Sequence, residues 1–342
     1  MNATDSKYAS FGLVKDMLET PGVVARFDTG QGVETARAIR KVGRLFLTGE
    51  GSSRIFPAKQ MMLQARRRGS NLVLHTEAGL QSREYDLRDW AVFAASNSGR
   101  TSEVIKLFTE LKAKGHSHLY GLTAGQASKL ADVAGKTYVL TCGGEGAVAA
   151  TKSVVEQALF YHALYEATEA DTISSPLSGE LKNLAAQLTE ALTLSIDPAL
   201  TEKIARAGTI YFAGRNDGVA EELALKTNEI TRKKSDYLEG TYAVHGIEEV
   251  MSANDVVIWV DPYPDSYQKF ADVLVKGVGL TVIALSTVPT PFPTIGIPSA
   301  GALQSYVNLC AGWNVLVEAG IQLNINLDKP ERARKVGNEF VV

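Results

Sequence analysis

Short apolar runs alternate along this chain with longer stretches whose apolar positions recur at helical spacing, the pattern of strands joined by helical crossovers. The runs Arg44–Thr48, Asn71–His75, Trp90–Ala95, His118–Thr123 and Thr137–Leu140 predict strands. Helical spacing covers Thr35–Val42, Arg54–Arg68, Ser102–Lys114 and Ala147–Ala167. A polar stretch, Asp171–Pro176, interrupts the pattern, which then returns. Helices are predicted from there through Leu194 and at Pro198–Ala207, Val219–Thr231, Asp265–Gly277 and Ala302–Gly320, with strands at Thr209–Ala213, Asp255–Val260 and Thr281–Ser286. Tyr211–Gly214 aligns with Phe46–Gly49, a weak internal repeat of about one domain length. Ahead of the first strand, Leu13–Phe27 reads as two helices parted at Thr20-Pro21-Gly22, an arm lying on the main body.

This order predicts an α/β fold of two lobes, each a mostly parallel sheet flanked by helices in the doubly wound, flavodoxin-like manner. The expected division is a helical arm over residues 1–30, a first lobe over 31–170, a second over 171–323 and a tail over 324–342. In such sheets ligands gather beyond the carboxyl ends of the strands.

Composition narrows the partners. Lys and Arg number 35 against 38 Asp and Glu, a formal net charge of −3, which gives no basic field for nucleic acid. No apolar run reaches the about 18 residues of a membrane span, and the N-terminus lacks a signal pattern, so a cytoplasmic protein is expected. Cys142 and Cys310 lie far apart and match no metal-ligand spacing; neither a metal nor a cofactor is expected.

Candidate chemistry gathers at turns. Ser96-Asn97-Ser98-Gly99-Arg100-Thr101 follows an apolar run and opens a helical stretch, where backbone N–H groups and hydroxyls suit an anion. The same residues read equally as an ordinary capped turn. A second such turn, Gly49-Glu50-Gly51-Ser52-Ser53, follows an earlier strand. Val148-Ala149-Ala150-Thr151-Lys152 offers small residues at a predicted helix start. Glu222, Lys226 and Glu229 recur on one helix face, a stripe that by itself reads best as solvated. His245, followed by Gly246, is the histidine best placed for proton transfer.

Taken in order, Gly51-Ser52-Ser53, Ser96–Thr101, Glu145–Lys152, Glu229 and His245 resemble the sugar isomerase (SIS) superfamily, in particular the isomerase half of glucosamine-6-phosphate synthase and the related sugar-phosphate deaminases and deglycases. The resemblance implies two SIS lobes. It implies that Ser53, Ser96, Asn97, Ser98 and Thr101 bind the anionic end of a sugar, beside Gly51, Ser52 and Arg100, and that Val148 lines the pocket. It implies Glu229 as the base that moves a proton between C1 and C2. It also implies His245 as a ring-opening residue donated by the neighbour in a homodimer, Lys335 as its helper, and Lys226 close to the substrate. The expected activity is aldose–ketose isomerisation of a phosphorylated or sulfonated hexose, with amino-sugar-phosphate deamination or deglycation as the alternative and a non-catalytic sensor as a weaker one. Without a glutaminase segment, the chain is not expected to draw ammonia from glutamine. It departs from the family pattern at Gly246-Ile247-Glu248-Glu249, where Gly-Pro is usual, and at Arg54 and Arg100, which stand where uncharged or acidic residues are usual.

Overall fold

The computed structural model describes residues 1–170 and 176–333. Strands β1 (Arg44–Gly49), β2 (Val73–Ala78), β3 (Ala91–Ala95), β4 (Leu119–Thr123) and β5 (Lys136–Val139) form one parallel sheet in the order β2-β1-β3-β4-β5. Strands β6 (Thr209–Gly214), β7 (Lys234–Glu239), β8 (Val256–Val260), β9 (Thr281–Ser286) and β10 (Thr294–Gly296) form a second parallel sheet in the order β7-β6-β8-β9-β10. Both sheets therefore have one winding, in which the chain leaves its first strand to one side and then crosses to the other. The aligned segments Phe46–Gly49 and Tyr211–Gly214 are those first strands. Their glycines share a cause: a Cβ on Gly49 would lie 2.8 Å from the Ala95 carbonyl oxygen, and one on Gly214 would lie 3.2 Å from that of Val260.

Central strands such as Ala91–Ala95 and Val256–Val260 are buried at every position, because helices cover both faces of a parallel sheet. Phe93 packs edge-on against Tyr161 with ring centroids 5.3 Å apart, and in the second sheet Trp259 stacks on Phe270 at 3.6 Å. Residues Gly22–Glu145, with 150–170 and 176–182, form one compact unit, around the first sheet. Met1–Pro21, Gly146–Ala149 and Asn183–Ala333 form the other.

Three expected elements differ. One helix, Gly12–Ala25, runs through Pro21 without a break. Proline costs it a single backbone bond, to the Met17 carbonyl, and burial of Leu13, Val14, Met17, Val23 and Val24 outweighs that loss. The stretch expected as a helix from Ala147 begins only at Lys152. The Asp265–Gly277 segment is a short 3-10 turn, one α-helical turn at Tyr267–Phe270 and then π-helix over Ala271–Val278. Among the described residues no helix is long and apolar enough to cross a membrane. Both cysteines are free and buried, and burial pushes their thiols up.

Candidate functional site

In the first sheet β1 and β3 are neighbours, and the connections leaving them turn to opposite sides. This is the topological switch point of the winding, where a crevice opens beyond the strand ends. The two hydroxyl turns both lie there. Gly51–Ser53 is a single 3-10 turn, with Gly51 at φ +52°. The Glu50 carboxylate beside it accepts from the Gly79 N–H at 2.9 Å, and burial raises its pKa. In the other turn Ser96 is buried, and its Oγ lies 2.8 Å from Thr101 Oγ1. Thr101 is the N-cap of the helix Ser102–Ala113, yet its side chain does not cap it. The helix therefore presents its first N–H groups without a cap from that hydroxyl, as an anion site requires. Ser98 Oγ accepts from the Arg100 N–H at 3.2 Å. Gly99 has φ +62°, and a Cβ there would lie 2.4 Å from Ser128 Cβ, so both backbone and space demand glycine.

Asn97 is held from outside the turn. Its Nδ2 donates to Glu145 Oε2 at 3.2 Å. The same carboxylate accepts from the Thr151 N–H at 2.7 Å, the Ser153 N–H at 3.3 Å and the Ser153 hydroxyl at 3.0 Å. Glu145 thus caps the helix that begins at Lys152, which is why helix does not extend back through Ala147–Thr151. Val148 is accordingly in an irregular segment, four positions before the helix and not at its start.

In the second lobe, the helix Val219–Thr231 connects β6 to β7. Its Glu222–Lys226–Glu229 face is not solvated, contrary to the simplest reading of the stripe. Lys226 and the Glu222 side chain are fully buried, and 26% of the Glu229 side chain is exposed. Lys226 Nζ lies 2.6 Å from Glu229 Oε2 and 3.4 Å from Glu222 Oε1. Burial follows from the buried helix Gln304–Gln322, whose Gly312 receives Leu223; a Cβ on Gly312 would lie 2.4 Å from a Leu223 methyl. Glu222 was legible only as one charge of a stripe.

His245 ends a 3-10 turn, Tyr242–Val244, beyond the carboxyl end of β7. Gly246 follows at φ +114°, and its N–H donates to Glu248 at 2.5 Å, so the departure from Gly-Pro builds a further 3-10 turn, Ile247–Val250. Lys269 Nζ is 3.4 Å from His245 Nε2. Glu229 sits in the last turn of a helix that runs antiparallel to β7, and His245 sits past the far end of that strand. Within one chain the two are therefore separated by about the length of the strand, roughly 20 Å. Lys335 lies outside the described residues.

At the second sheet's own switch point, side chains bridge the two loops. Arg215 Nη1 lies 2.6 Å from Asp261 Oδ2, and the guanidinium is 4.3 Å from the centre of the Tyr263 ring. Asp217 is buried beside it, accepting from the Val219 N–H at 3.0 Å and the Ser305 hydroxyl at 2.9 Å; burial raises its pKa. A carboxyl raised in this way adds stability below its ordinary pKa of about 4 and loses it as pH rises through the raised value. Asp217→Asn, which cannot ionise, is thus expected to gain on the wild type as pH rises above about 4, as read by urea midpoints.

Among the described residues no group of His, Cys, Asp and Glu is arranged to hold a metal. The family model of the SIS domain matches residues 38–167. The first lobe is a SIS domain. The second lobe repeats the strand order of this SIS lobe. The two-lobed fold is shared with the C-terminal domain of glucosamine-fructose-6-phosphate aminotransferase from Francisella tularensis, with a TM-score of 0.80 and 17% identity over 96% of this chain and 100% of that one. Tagatose-6-phosphate ketose/aldose isomerase from Escherichia coli gives 0.73 and 17% over 97% and 100%. Glucosamine-6-phosphate deaminase from Thermotoga maritima gives 0.68 and 18% over 95% and 98%. No curated protein matches the sequence.

Proposed function

We propose that this protein is an aldose–ketose isomerase of an anionic hexose, phosphorylated or sulfonated, in which Glu229 is the base. The observation that carries the reading is the pairing of two hydroxyl turns at the switch point of the SIS lobe. Ser53, Ser98 and Thr101 would bind the anion with hydroxyls and turn N–H groups, and Arg100 would add charge at the edge. Glu229 removes the C2 proton and returns it to C1 on one face of the planar enediol, while the hydroxyl proton passes between the two oxygens. Lys226 keeps the carboxylate in place. Ring opening falls to His245, helped by Lys335.

Because Glu229 and His245 stand at opposite ends of one sheet, a site using both takes its histidine from a second copy. Exposed Tyr242 and Val250 flank His245 and suit an interface. Mixing inactive Glu229→Gln with inactive His245→Ala is expected to restore part of the activity, since some heterodimers hold one intact site. No recovery, with subunit exchange confirmed by mass, would mean that each chain completes its own site.

The reading is tested by incubating hexose 6-phosphates, their sulfonates, amino-sugar phosphates and phosphorylated fructosamines with the protein in D2O. NMR should show deuterium entering at C1 or C2 with formation of the isomer. Ammonia or amine release would select deamination or deglycation instead, and no exchange with any compound would refute the isomerase. Ser98→Ala and Thr101→Ala should each weaken binding by about 1–3 kcal/mol.

A further inference from the structure

Resting on the reading of Glu229 as base, we propose that Arg232 is a positioning residue: through the turn Asn326–Lys329 it ties the end of the Glu229 helix to the main chain of Val148. Arg232 follows that helix directly, at φ +55°, a conformation unfavourable for a residue with a side chain and kept only where contacts hold it. Its guanidinium donates to the Ile230 carbonyl at 2.9 Å, to the Lys329 carbonyl at 2.7 Å and to the Asn326 carbonyl. The planar fork can serve several carbonyls at once, and its charge suits the negative end of the helix.

The turn it grips is itself held by several bonds. Asn326 Oδ1 accepts from the N–H groups of Asp328 at 2.9 Å and Lys329 at 3.3 Å. Leu327 fits over Gly320, where a Cβ would lie 2.5 Å from its methyl. The Asp328 carboxylate accepts from the Gly12 and Leu13 N–H groups at 2.9 and 2.8 Å, capping the helix that starts there. The Asp328 carbonyl accepts from the Val148 N–H at 3.2 Å. Nearby, Asp16 Oδ2 accepts from the Gly146 N–H at 2.6 Å. An unbroken set of bonds thus runs from the last turn of the base-bearing helix to the segment expected to line the sugar. Disturbing Arg232 loosens that segment without touching it.

The test combines hydrogen exchange with kinetics on Arg232→Ala and Arg232→Lys. In Arg232→Ala, amides of Gly146–Ala149 are expected to exchange at least ten-fold faster while those of β6 and β8 keep their protection. Turnover should fall at least ten-fold with KM within about three-fold, because the anion turns are unchanged, and Arg232→Lys should recover part of both effects. Unchanged exchange at Gly146–Ala149, or acceleration spread equally over the whole lobe, would overturn the proposal. Should the wild type turn over no sugar at all, the assignment of Glu229 fails, and the exchange measurement alone still decides whether the link exists. If Arg232→Ala does not fold, Arg232→Lys carries the same measurement.

Discussion

Glu229→Gln is expected to abolish exchange of the C2 proton with solvent while leaving the affinity for sugar within a few-fold. The amide keeps the shape of the carboxylate but cannot accept a proton, so a group acting only in the transition state is lost and turnover falls with little change in binding. General-base removal alone is worth about 100- to 10,000-fold. The partner Lys226 can still donate to the amide oxygen, so the helix should remain folded and the melting temperature should move little. Turnover near that of the wild type would remove Glu229 from the mechanism.

Lys226→Met is expected to fail in two ways. Lys226 is wholly buried between two carboxylates, and its removal leaves the buried Glu222 side chain without that positive charge. Breaking one partner out of a buried ion pair costs about 3–5 kcal/mol. Activity should fall as well, because Glu229 loses the contact that orients its Oε2. The double variant Glu222→Gln/Lys226→Met separates the two losses: denaturant midpoints should recover, since the buried carboxylate is removed together with its lysine, whereas turnover should not. A double variant as unstable as the single one would show that the lysine stabilises through packing of its stem and not through charge.

The winding of both lobes was legible because its central strands are continuous apolar runs bounded by turn residues. Lys234–Glu239 was not, since an edge strand with Asp236 at its middle carries no apolar run, and Thr294–Gly296 is too short for any periodicity. The hydroxyl turns could be read because their residue types and their place after a strand coincide. What could not be read was burial of the charged stripe, which depends on Gly312 admitting Leu223 from a helix far along the chain. The start of the helix at Lys152 was equally hidden: the carboxylate that sets it, Glu145, looks like an ordinary loop residue until the donors around it are seen.

The wide separation of Glu229 and His245 along one sheet has a consequence for how the protein behaves on dilution. If the site is assembled from two copies as proposed, it exists only while they are associated, so specific activity should fall once the concentration drops below the dissociation constant of the pair, and substrate should slow that fall to the extent that it binds the pair more tightly than the single copy. Catalytic output would then track the square of subunit abundance in the dilute limit, which makes cellular level itself a control on flux.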